Sequence, residues 1–508
     1  MLFNSYLFIF GFLPVTLAVF FFLRNRRPTI AKVWLVLASL TFYGYWNPIY
    51  LFLIGGSIVA NYAISLWLHR TRRRLLLACG VGLNLATIGY FKYSVFFVGI
   101  VAGPQHVPDV LQMIVLPLAI SFFTFQQIAY LVDVQRGEVT PGDLPTYALF
   151  VSFFPQLIAG PIVRFQQIAP QLAALGREQA GLPQTLAPGV ILFILGLAKK
   201  VMVADTFAPF VNAVFGLPPE NSVGPLDAWL GAYAYTFQLY FDFSGYSDMA
   251  IGLALMMGFR IPVNFFSPYK ARNMIDFWRR WHITLSEFFR DYCYIPLGGN
   301  RTSGTHQAFN LLLVMLVVGL WHGAGWTFVL WGLYHGVLLT TTHVVRFYKG
   351  PIQTRLLNLF PWLSGSGRSS LGQWTMDAAG WFVTFHLVVI GWVLFRSPTL
   401  SVAGSLFRGL AFQTGTSNAF EDERYYLIVI PLILLALLVC TQFSNSIHSI
   451  QNLHKVVGTE KFSDSPADWW KDIRWKLSPV SALGLGTLAY LSLSTISNLS
   501  TEFLYFNF

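Results

Sequence analysis

Charge is what this 508-residue chain has least of. Asp, Glu, Lys and Arg together make up 11% of it, against about 25% in a soluble globular protein. Length alone suggests about three domains of ordinary size, but so little charge cannot coat several water-soluble domains. Disorder is excluded as well: Phe, Tyr and Trp number 47, 22 and 16, and disordered chains are poor in aromatics. Cysteine is scarce. Cys79, Cys293 and Cys440 stand far apart, with no Cys-x-x-Cys pair, so the sequence encodes no disulfide framework and no zinc or iron–sulfur signature. They read as packing residues. No lysine follows a glycine, which excludes a Walker A phosphate loop, and no Gly-x-Ser-x-Gly nucleophile elbow occurs. What is present instead is 55% hydrophobic residues and a mean hydropathy of +0.57. That is the composition of an all-α polytopic membrane protein.

The formal charge is +11, and the bases cluster between apolar runs, where they set topology against anionic lipid rather than bind nucleic acid. Arg24, Arg26 and Arg27 follow the first apolar run instead of preceding it, as expected of a first membrane helix and not of a signal peptide. The next apolar stretch, broken at Trp46-Asn47-Pro48, is closed by Arg70, Arg72, Arg73 and Arg74. Two crossings between two basic loops place both loops on one side. The positive-inside rule makes that side cytoplasmic and the N-terminus periplasmic or extracellular. At about 20 apolar residues per crossing, roughly ten to thirteen crossings are expected, with shorter re-entrant or interfacial helices. The chain reads as one membrane domain, 1–508, with N-terminal helices to 135, a core over 136–345 and C-terminal helices over 346–508. Stretches 260–306, 346–376, 403–424 and 444–478 interrupt the apolar pattern. The last contains ADWWKDIRWKL, expected to lie along the membrane interface. No internal repeat of the kind frequent in transporters is apparent.

His322 lies in LLLVMLVVGLWHGAGWTFVLWGLYHG, a run almost free of charge. An ionisable residue at membrane depth is costly and tends to line a cavity or pathway. Gly323 and Gly325 permit backbone irregularity beside it, and Trp321 and Trp326 are candidate walls. The alternative is a histidine hydrogen-bonding between helices. His282 lies in DFWRRWHITLSEFFRDYCYIPLGGNR. As a continuous helix this is a cytoplasmic amphipathic segment with Trp278 and Trp281 at the interface. Read functionally, Arg279, Arg280 and Trp281 flank bound anionic groups while His282 enters a pocket. His335 and His343 do not stack with His322 on one helical face, and no carboxylate or thiolate accompanies them, so no metal site is expected. Asp242 and Asp248 occur in apolar TFQLYFDFSGYSDMAIG. Buried acids there would carry protons or pair with Arg164 or Lys199; alternatively Ser244, Ser247 and Asp248 cap a helix at Met249–Met257. Gly484-Leu-Gly486-Thr-Leu-Ala489 mimics a dinucleotide fingerprint without its βαβ context and reads as close helix packing.

YFDFSGYSDMAIGLALMMGF, FWRRWHITLSEFFRDYCYIPLGGNR and LWHGAGWTFVLWGLYHG together resemble the signature blocks of membrane-bound O-acyltransferases. The resemblance is closest to the bacterial AlgI-type branch, the membrane subunit of alginate O-acetylation. FLPVTLAVFF, GYFKY, LIAGPIVRF, AKKVMVADTF, GWVLFRS and the ending FLYFNF extend it over most of the chain. The resemblance implies a helical bundle around a central tunnel between the two faces, lined by candidates Trp321, Gly323, Trp326, Asp242 and Asp248. It also implies that His322 is the principal catalytic residue, as general base or acyl-accepting group, and His282 the second. Relatives carry asparagine or aspartate at the second position. The implied donor is acetyl-CoA from the cytoplasm, with no permanently bound cofactor. The implied partners are periplasmic proteins that pass the acetyl group on to an exopolysaccharide, in the inner membrane. Alginate is the polymer the resemblance favours. Cellulose acetylation and teichoic-acid D-alanylation stay open, and an acyl or polymer transporter is the alternative of a different class.

Overall fold

The computed structural model describes residues 1–176, 182–301, 303–359, 370–415, 419–420, 424–450, 478–496 and 503–504. Among them the regular structure is helical throughout, with no strand. Nine helices among the described residues are long and apolar enough to cross a membrane, from Leu7–Arg24 to Pro479–Ile496. Pro28–Gly44, apolar and 17 residues long, is at the lower end of the length a crossing needs. The chain divides into two units: 1–206 with 240–264 and 444–508, and 207–239 with 265–443.

In the first unit the expected break at Trp46-Asn47-Pro48 separates Pro28–Gly44 from Tyr50–Thr71, and Asn47 accepts the backbone N–H of Ile49 at 3.1 Å. Leu182–Ala198 runs against the second half of Pro225–Met256 with backbones in contact. A Cβ on Gly189 would lie 2.7 Å from the Gly252 carbonyl, and one on Gly245 2.7 Å from that of Gly196. Glycines seven apart on both helices keep this seam on one face.

Asp242 and Asp248 belong to the same unit, and the cap expected there does not form. Ser244, Ser247 and Asp248 lie inside the unbroken helix Pro225–Met256, because nothing in LYFDFSGYSDMAIG lacks a backbone donor or forces a turn. The acids form ion pairs instead. Lys199 Nζ meets Asp248 at 2.6 Å and the Ser446 hydroxyl at 2.9 Å. Lys200, only 1% exposed, meets Asp205 at 2.8 Å and Asp242 at 2.7 Å. Adjacent helical residues diverge by about 100°, and residues six apart by about 120° the short way round; this is why two neighbouring lysines reach two acids six apart. The Leu504 N–H donates to Asp242 at 3.1 Å, and the Phe503 ring lies 4.8 Å from the Lys200 ammonium. The close packing expected at Gly484 and Gly486 is also absent among the described residues: they sit in helix Pro479–Ile496, and a Cβ on either would meet no described atom within 4 Å.

In the second unit Gly304–His322 and Trp326–Leu359 form a tight helical hairpin turned at Gly323-Ala324-Gly325. A Cβ on Gly319 would sit 3.0 Å from the Gly332 Cα, so only glycines allow this approach. Helix Ser370–Arg396 completes the group. Tyr334 donates from its hydroxyl to the Leu387 carbonyl at 2.9 Å, and the Trp381 indole donates to the Tyr269 carbonyl at 2.8 Å. Of the polar stretches, 346–359 and 370–376 continue the flanking helices, and helix Leu400–Leu410 overlaps the start of 403–424. ADWWKDIRWKL lies outside the described residues.

Candidate active site

The expected amphipathic helix around His282 is two short helices. Met274–Arg280 is capped by the Asn273 side chain, which accepts the Asp276 N–H at 3.0 Å. Ile283–Phe289 follows. Between them His282 adopts φ 41° and ψ 55°, left-handed for a residue with a Cβ. That conformation costs roughly 1–2 kcal/mol, and such outliers persist where the surroundings over-determine them. The break turns both tryptophans inward. Trp278 and Trp281 are buried, which corrects their expected place at the interface. Trp281 stacks on Phe277 at 5.7 Å and packs on Trp392 at 4.8 Å.

His322 is the last residue of its helix and 3% exposed. The chain leaves it through Gly323 in an extended conformation, with the Phe328 ring against the position a Cβ would occupy. Its imidazole is held by rings: Trp321 at 4.8 Å, and Trp331 and Phe395 each at 5.1 Å, all steeply inclined to it. His282, fully buried, lies 6.5 Å from His322 and 6.1 Å from Trp321, centre to centre. Residues 40 positions apart in sequence thus place two imidazoles in one buried cluster. Burial pushes the His282 imidazole down to about 3, so at neutral pH it presents one N–H and one lone pair.

The other expected site residues divide. Trp321 and Gly323 belong to the cluster. Trp326 is 52% exposed; Trp331, further along the same helix, packs on His322. Arg279 is exposed. Arg280 is half-buried, paired with Asp276 at 3.0 Å. Asp242 and Asp248 are engaged in the first unit's lysine pairs. Trp331, Trp392 and Phe395 are the residues the sequence reading passed over, and His335 it weighed only as a metal ligand. His335 is fully buried, with Trp331 4.8 Å, Trp278 5.4 Å and Trp392 6.1 Å away. The i, i+4 spacing of Trp331 and His335, which puts both on one helical face, was the available signal.

A buried imidazole that can take a hydroxyl proton, beside a second that can donate a hydrogen bond, is a minimal kit for acyl transfer. The sequence model of the family described as MBOAT, membrane-bound O-acyltransferase family, matches residues 112–366, the span that contains every ring of this cluster except Trp392 and Phe395. A peptidoglycan O-acetyltransferase of Helicobacter pylori is 42% identical over 450 residues, 82% of this chain and 81% of that protein. A probable alginate O-acetylase AlgI of Pseudomonas aeruginosa is 41% identical over 463 residues, 88% and 82% of the two chains. A teichoic acid D-alanyltransferase of Streptococcus thermophilus is 28% identical over 294 residues, 55% and 68%.

Proposed function

The chain belongs to the membrane-bound O-acyltransferase family, and from that premise we propose that it moves an acetyl group from cytoplasmic acetyl-CoA across the inner membrane to periplasmic partner proteins, which O-acetylate alginate. The observation that carries this reading is His322, buried in an aromatic cage beside a second buried imidazole.

In the reaction proposed, a neutral His322 takes the proton of the acceptor hydroxyl as its oxygen attacks the thioester carbonyl. A C–O bond forms and the C–S bond breaks. The departing thiolate takes the proton back from the imidazolium, so the coenzyme leaves as the thiol. The step requires the uncharged imidazole, the form that can accept a proton. His282 supplies a hydrogen bond toward the developing oxyanion. The exposed Arg279, its neighbour Arg280 and the other bases of 260–301 receive the coenzyme phosphates.

Identity to the alginate O-acetylase over 88% of the chain supports alginate. The peptidoglycan O-acetyltransferase, equally similar, favours a second reading in which the acetyl group ends on peptidoglycan. Acetate measured separately on the exopolysaccharide and on purified sacculi decides between the two. In either case His322→Ala is expected to leave membrane abundance unchanged while polymer acetate disappears. Retained acetylation rules His322 out as the base.

A further inference from the structure

Four arginines, Arg70, Arg72, Arg73 and Arg74, lie where helix Tyr50–Thr71 gives way to helix Arg74–Ile88. The fold adds a fifth from a distant part of the chain. Arg72 follows the first helix at φ 52° and ψ 22°, the left-handed conformation that helix ends usually give to glycine. Turned this way, its guanidinium donates to the carbonyls of Val134 and Gln135, the second at 3.1 Å. These carbonyls end helix Ile120–Arg136 and have no acceptor role inside it. A Cβ on Gly137 would sit 3.3 Å from Arg72 Nη1, so glycine leaves room for the contact. Arg136, the last residue of that helix, thereby joins the turn. The side chains of Arg70, Arg73 and Arg74 are exposed and make no hydrogen bond or ion pair among the described residues. Of the acids in this part of the chain, Asp133 is buried and Glu138 exposed.

Orienting a membrane helix requires only an excess of bases in its loop. It does not require one of them to fold back and gather a fifth from another helix, where like charges repel. What the turn lacks is negative charge, and its surroundings indicate the form in which that charge arrives. Tyr50–Thr71 and Arg74–Ala102 are both long and apolar enough to cross a membrane, so the turn between them lies at headgroup level. Apolar side chains flank the bases: Trp67 is 58% and Leu75 76% exposed, and tryptophan in such a place belongs to the interface. A soluble phosphate would engage the guanidinia and leave these side chains bare, whereas a lipid engages both. A single phosphodiester carries one negative charge, fewer than three unpaired guanidinia call for, and a headgroup with two phosphates matches them better. We propose that Arg70, Arg73, Arg74 and Arg136 form a docking site for a two-phosphate glycerolipid of the cardiolipin type. Arg72 holds the two halves of the site together, and the acyl chains run along Trp67 and Leu75. Basic pockets between membrane helices suit such headgroups.

The test uses purified full-length protein in neutral detergent, with bound lipid counted by native mass spectrometry. The probes are cardiolipin, phosphatidylglycerol at twice the concentration to match its charge, and glycerophosphate, which has no acyl chains. Wild type is expected to bind cardiolipin about tenfold more tightly than phosphatidylglycerol and to gain thermal stability from it. Arg70→Gln, Arg73→Gln and Arg74→Gln combined should weaken cardiolipin by about ten- to hundredfold. Arg136→Gln leaves the charge of the 70–74 turn intact, and with it the orientation of the helices, and should weaken cardiolipin about fivefold. It carries the test if the triple variant fails to insert. Arg26→Gln with Arg27→Gln removes two exposed bases from another turn and should leave affinity within twofold. If Arg136→Gln binds within twofold of wild type, or if the Arg26 and Arg27 variant loses as much as the triple variant, the site is overturned and the bases serve orientation alone. Equal binding of phosphatidylglycerol at matched charge overturns the two-phosphate headgroup. Displacement of cardiolipin by an equal concentration of glycerophosphate overturns the lipid and leaves a site for soluble phosphate.

Discussion

His282 occupies a backbone conformation that asparagine adopts more readily than most residues with a Cβ, so His282→Asn is expected to fold. Its effect should show in pH dependence. Burial holds the imidazole near 3, against its ordinary 6.5. Between those values the unfolded chain binds a proton that the folded one does not, so stability falls as pH drops through the window. The slope reaches up to about 1.4 kcal/mol per pH unit. In detergent, the thermal midpoint of wild type should fall on acidification below 6.5, and that of His282→Asn should fall less. Equal slopes would mean that His282 is not a buried neutral imidazole. Both histidines were legible in the sequence, His322 because an ionisable group in so apolar a run needs a reason, and His282 through its motif. His335 was not: in GLYHG it has no polar company, and its burial among Trp278, Trp331 and Trp392 appears only in the fold.

The site is assembled by the helical hairpin Gly304–His322 and Trp326–Leu359, whose helices meet at glycine. A methyl group on Gly332 would run into the Met315 carbonyl and lie 3.1 Å from the Gly319 Cα, so Gly332→Ala must push the helices apart. Overpacking of this kind costs typically about 1–3 kcal/mol, and the shift displaces Trp331 relative to His322. The expected result is a lower thermal midpoint together with reduced turnover. Gly484→Ala is the control, since a Cβ there meets nothing within 4 Å and alanine is the better helix former. Its midpoint should hold or rise. The glycines illustrate what sequence conceals at this scale. Gly484-Leu-Gly486 looks like a packing motif and packs on nothing described, whereas Gly319 and Gly332 make the contact from different helices with no shared motif. The helix break at Trp281-His282 was equally hidden, because FWRRWHITLSEFF contains neither glycine nor proline to announce it.

Over the whole molecule the scarcity of charge decided the class, and the apolar runs located most helices. Nine long spans lie among the described residues, against an expectation of ten to thirteen, and Pro28–Gly44 is a further apolar helix one residue shorter than the shortest of them. The +11 charge divides between turns such as Arg70–Arg74 and the basic stretch 260–301, which supplies one helical wall of the histidine cluster. Of the partners the sequence offered its buried acids, Lys199 does pair with Asp248 within the first unit; Lys200, which holds Asp242 and Asp205, carried no such signal. The central claim is chemical turnover at His322, and the direct measurement uses purified protein, acetyl-labelled acetyl-CoA and the acceptor-bearing periplasmic fraction. Wild type should release free coenzyme and transfer label, and His322→Ala, equally folded, should do neither. Transfer at wild-type rate by His322→Ala, or passage of label across a vesicle membrane with the thioester intact, would contradict it.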